Sequence, residues 1–97
     1  MKVDVIFDYK NTRATVSNVV AMLTKESEVL RAAFNADACR VGGAVGERVT
    51  LVFEYKEIVD PSSTKADEVV EDLTNACAKL RDEFGADACW VDDAVGE

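Results

Sequence analysis

Phe84-Gly85-Ala86-Asp87-Ala88-Cys89-Trp90-Val91-Asp92-Asp93-Ala94-Val95-Gly96-Glu97 restates Phe34-Asn35-Ala36-Asp37-Ala38-Cys39-Arg40-Val41-Gly42-Gly43-Ala44-Val45-Gly46-Glu47 fifty positions later, with ten of the fourteen residues identical. A repeat at a fixed period makes each half one supersecondary unit, so it governs every later reading of the chain. Working outward, Lys2-Val3-Asp4-Val5-Ile6-Phe7-Asp8-Tyr9-Lys10 aligns with Arg48-Val49-Thr50-Leu51-Val52-Phe53-Glu54-Tyr55-Lys56 at an offset of 46, so the second half carries four extra residues. They fall in Glu57–Ser63, a loop, where insertions are tolerated best. The chain reads as a tandem βαβ duplication, copy one 1–47 and copy two 48–97. Ninety-seven residues are enough for one domain with one core.

Val3, Val5, Phe7 and Tyr9 alternate with Asp4, Ile6 and Asp8, the period of a strand with one apolar face, and Val49, Leu51, Phe53 and Tyr55 repeat it. Val16, Val19, Val20, Leu23, Leu30 and Phe34 follow helical spacing, as do Ala66, Val69, Val70, Leu73, Cys77, Leu80 and Phe84. Thr64 with Asp67 three residues on predicts a capping box for the second helix. Asn35 and Gly85, types that enter the left-handed region most easily, predict matching helix ends. In the short strands that follow, Cys39, Val41, Cys89 and Val91 should face the helices, and Arg40 and Trp90 the other side.

The order is β-α-β-β-α-β. Short right-handed crossovers applied to two such units predict an α+β, ferredoxin-like sandwich: a four-stranded antiparallel sheet of order 4-1-3-2 with two helices on one face. Strands 1 and 3 become the antiparallel central pair. Asp8 and Glu54, and the Tyr9-Lys10 and Tyr55-Lys56 pairs, then lie at opposite ends of the sheet, roughly 20 Å apart, and cannot share a substrate atom. Cys39 and Cys89 fall on opposite edge strands, too far apart for a disulfide.

Composition excludes further classes. The three cysteines have no C-x-x-C spacing and the chain has no histidine, which argues against a metal site and against a base-activated thiol. Cys77 is expected to pack as a small hydrophobe. No run of about 18 apolar residues and no leader pattern are present, so the expectation is a cytoplasmic protein without a membrane partner. A net charge of −8 and acids on the open sheet face argue against direct nucleic-acid binding. The loop Lys10–Arg13, with one arginine and no glycine, is a poor anion cradle. The reading is non-enzymatic, with no cofactor.

Two surfaces remain. Residues 1–47 carry six Lys/Arg and six Asp/Glu, while residues 48–97 carry five and thirteen, so all the excess acidity is in the second half. Asp67, Glu68, Glu71, Asp72, Asp82 and Glu83 line the outer side of the second helix, where the first has Ser17, Asn18, Ala21, Met22, Ala32 and Ala33. Asp87, Asp92, Asp93 and Glu97 extend the acidity through the last strand. The expected function is docking of a basic, nucleic-acid-handling protein on this acidic face, in the manner of an inhibitor that mimics a nucleic-acid backbone. The alternative surface is the open sheet face, where Ile6, Val52 and Trp90 form an apolar strip beside Arg40. It would serve a homodimer or a regulatory module. The close agreement of the two halves also fits an engineered, duplicated scaffold without biological function.

Overall fold

The computed structural model describes residues 1–12 and 14–96; Arg13 of the first loop and Glu97 of the acidic carboxyl-terminal segment lie outside the described residues. Six elements follow one another: β1 (Lys2–Asp8), α1 (Val16–Ala33), β2 (Ala38–Val45), β3 (Arg48–Glu54), α2 (Thr64–Glu83) and β4 (Ala88–Val95). The strands form one antiparallel sheet of order β2-β3-β1-β4. That order fits a ferredoxin-like sandwich.

Alternation in β1 and β3 produces the core. Val3, Val5, Phe7, Val49, Leu51 and Phe53 are fully buried and meet Val19, Leu23 and Leu30 of α1 and Leu73, Cys77 and Leu80 of α2 in one cluster. Both helices therefore cover the same face of the sheet, and removing these side chains from water is the main stabilising term. Edge-to-face rings close the cluster at either end, Phe7 against Phe84 at 5.8 Å and Phe34 against Phe53 at 5.5 Å.

The halves interlock by exchanging bonds. Tyr9 Oη donates to the Phe84 carbonyl at 2.9 Å, and Tyr55 Oη donates to the Phe34 carbonyl at 2.8 Å. Each tyrosine thus satisfies the carboxyl-terminal cap of the helix from the other half. Asp87 accepts from the Asn11 amide and the Thr12 hydroxyl, and Asp37 accepts from the Lys56 amide. Asn35 at φ 54° and Gly85 at φ 65° end the two helices as expected. Both ends are Schellman turns: Ala36 N bonds Arg31 O and Asn35 N bonds Ala32 O, with Ala86 N to Arg81 O and Gly85 N to Asp82 O as their counterparts.

The start of α2 differs from expectation. Ser63, not Thr64, is the N-cap, its Oγ accepting from Ala66 N at 3.3 Å, and Thr64 is the first helical residue. The preceding loop is anchored more tightly than an insertion would suggest. Ile58 is buried in the core, and its carbonyl and that of Tyr55 accept from the Met1 amine at 2.5 and 2.8 Å. Ser62, one residue earlier, donates from both its amide and its hydroxyl to Asp60 Oδ1, which leaves Ser63 to cap the helix.

Candidate functional site

The outer face of α2 is built by periodicity. At 100° per residue, Asp67, Glu68, Glu71, Asp72, Asp82 and Glu83 fall on the side opposite Ala66, Leu73, Cys77 and Leu80, and all six acids are exposed. Asp67 with Glu71, and Glu68 with Asp72, are like charges one turn apart, each pair destabilising by about 0.2–0.5 kcal/mol. Among the described residues the ion pair of α2 is Arg81 with Asp82 at 3.1 Å, so the other five acids have no cation within 4 Å. Glu68 and Asp72 line a groove of about 670 Å³ between the first turns of α2 and the end of α1, together with Asp37, Glu57, Lys65, Phe34, Tyr55 and Val69. No Cα of α1 comes within 8 Å of one of α2, which leaves that groove open.

The carboxyl-terminal strand does not continue this face. Asp93 pairs with Asp4, whose side chain lies on the sheet face opposite the helices, so Asp93 and α2 belong to different sides of the molecule. Asp92 occupies the irregularity in β4 beside it. Asp87 is held in the loop contacts with Asn11 and Thr12 described above.

The open sheet face consists of cross-strand rows. One row is Arg40, Val52, Asp4 and Asp93; the next is Gly43, Thr50, Ile6 and Trp90. Ile6 and Val52 are only 9% and 7% exposed, so the strip read as open from the sequence is covered by its neighbours. Trp90 is half-buried, and the Arg48 guanidinium lies 5.2 Å from its ring centroid while bonding Asp8 at 3.3 Å. Arg40 cannot reach that ring, because β2 and β4 are the two edges. It makes no ion pair within 4 Å among the described residues. Burial, with Asp93 and Asp92 adding repulsion and Arg40 opposing them, holds the Asp4 carboxyl above the usual range.

Burial acts on the phenols and thiols. Burial pushes Tyr9 and Tyr55 up to about 12, and the Cys39 thiol up to about 11. Cys77 and Cys89 are raised by burial too, and their thiols interact across α2 and β4, a proximity absent from the sequence pattern. Such thiols are poor nucleophiles near neutral pH. No cluster of His, Cys, Asp and Glu suited to a metal occurs among the described residues, and no described helix is long and apolar enough to cross a membrane. No protein-family model matches this chain, and no curated protein or solved structure matches it either.

Proposed function

We propose that this is a non-enzymatic binding protein whose outer α2 face docks a basic protein partner, with the groove beside Glu68 and Asp72 receiving a lysine or arginine side chain. The observation that carries this reading is the set of six exposed acids on α2, five of them with no cation within 4 Å among the described residues, at positions where α1 is uncharged. Like charges spaced one turn apart cost stability in the free protein, and a cationic surface would relieve them. The groove lining sets apolar surface from Phe34, Tyr55 and Val69 beside four acids, Asp37, Glu57, Glu68 and Asp72, against one cation, Lys65, which suits an aliphatic stem with a cationic head. On this reading the scaffold arose by tandem duplication, and the second copy acquired the docking charge while the first stayed neutral.

The test is retention of partners from a lysate on wild-type protein and on Glu68→Lys/Glu71→Lys/Asp72→Lys. Binding should be lost in the variant and lost for the wild type as salt rises to about 1 M, where the screening length is about 3 Å. Retention of every partner by the triple variant would refute the reading.

A further inference from the structure

The four positions at which the two fourteen-residue stretches differ are 35/85, 40/90, 42/92 and 43/93. The first pair supplies the left-handed helix ends. The other three change what the two edge strands present on the open sheet face: β2 offers Arg40 and two glycines, β4 offers Trp90 and two aspartates. At Gly43 an added Cβ would meet nothing within 4 Å, so the sheet surface there is open and flat. Asp93 stands directly across from Asp4, an unfavourable pairing of like charges. The face therefore carries on one edge a cation with no ion pair among the described residues and open space at Gly43, and on the other an acid cluster and a large ring.

We propose that two copies of this chain associate through their open sheet faces about a two-fold axis parallel to the strands, placing Arg40 of each copy on Asp93 of the other. Such an axis keeps the cross-strand rows and reverses strand order, so β2 of one copy lies over β4 of the other. In the row of Arg40, Val52, Asp4 and Asp93, both cations then meet the acid clusters. In the row of Gly43, Thr50, Ile6 and Trp90, each Trp90 lies over the Gly43 of the other copy, where no side chain stands in its way. A two-fold axis perpendicular to the strands puts Arg40 over Gly43 and Trp90 over Asp93, which matches nothing. Sheets packed face to face lie about 10 Å apart, and the twist of each sheet carries the outer rows out of contact before these two inner ones.

The charge on α2 does not oppose this arrangement, since the helices lie on the other side of the sheet. At about 0.15 M salt the screening length is about 8 Å, shorter than the thickness of the sandwich. Four strands at about 4.8 Å and seven residues at about 3.3 Å make a face of roughly 440 Å² per copy, below the ~800 Å² of a standard interface. The dimer should therefore be weak.

Sedimentation equilibrium between about 10 µM and 1 mM, at about 0.15 M salt, tests the arrangement on wild type, Arg40→Asp, Asp93→Arg and an equimolar mixture of the two variants. Each variant alone sets like charge against like charge twice and should weaken association at least about tenfold. In the mixed pair both contacts become opposite in sign, so association should recover to within about threefold of wild type. Recovery also shows that both variants are folded. A wild type that stays monomeric at about 1 mM overturns the proposal. So does a wild type that associates while the mixture does not recover, the result expected of edge-strand pairing. Neither outcome bears on docking at α2.

Discussion

α1 and α2 bury the same kind of stripe, end in the same Schellman turn and have their last carbonyls capped by the tyrosine of the opposite half, yet they share almost nothing on their outer faces. Ser17, Asn18 and Ala21 on one become Asp67, Glu68 and Glu71 on the other. The core fixes the inner positions, because a misfit there leaves a cavity or a clash. An outer position costs a few tenths of a kcal/mol at most whichever polar residue fills it. Surface divergence on a common core is therefore where a difference in function can be written at little cost in stability.

The comparison is broken most severely at the core. Leu23 and Leu73 are both fully buried and occupy equivalent places on the two helices. Leu23→Ala and Leu73→Ala should each cost about 2–5 kcal/mol. Because the halves cap one another, both should unfold in a single transition, so denaturant melts followed by far-ultraviolet circular dichroism and by Trp90 fluorescence should coincide. Non-coincident curves in either variant would show that the halves are separable.

A smaller effect should separate the helices at their amino ends. Ser63 caps α2 through its side chain, whereas Thr15 at the start of α1 makes no such bond. Ser63→Ala should destabilise by about 1 kcal/mol and Thr15→Ala by well under half of that. Equal losses would mean that the Ser63 hydroxyl is not the source of the difference.

The strands, the helix stripes, the sheet order and both helix ends were legible in the sequence, because alternation, helical spacing and the Asn35/Gly85 equivalence are local signals. What escaped depends on contacts between distant segments. Ile58 is followed by the equally apolar Val59, and no period says that the first is buried and the second exposed. Ser62, Ser63 and Thr64 are all competent caps, and only the anchored loop selects among them. Cys77 meets Cys89 across a helix and a strand. The sheet order itself placed Arg40 and Trp90 on opposite edges, while Arg48, two strands from Trp90, reaches the ring because its side chain is long enough to cross β1. The acids were found correctly as a composition, but their division between α2 and the far side of the sheet follows from the direction in which each β4 residue faces.

That division allows the smallest effect to be isolated. Asp4 faces Asp93 on the sheet, far from the acids of α2, and its carboxyl is held above the ordinary carboxylate value by burial first and by Asp93 and Asp92 second. A folded-state pKa above the unfolded one means that the native protein binds this proton more tightly than the unfolded chain. The penalty of the charged form is therefore present at neutral pH and is relieved as pH falls through the folded pKa. Asp4→Asn removes the like-charge pairing and should stabilise the protein at pH 7 by about 0.2–1 kcal/mol. The advantage should vanish once pH drops below the carboxylate range, where Asp4 is protonated in both states. Denaturant titrations at pH 7 and pH 3, in dilute protein so that the copies stay apart, would measure both numbers. A gain that persists at pH 3 would trace to the packing of the amide, and the acid cluster on the β4 edge would lose its claim to be the strained counterpart of Arg40.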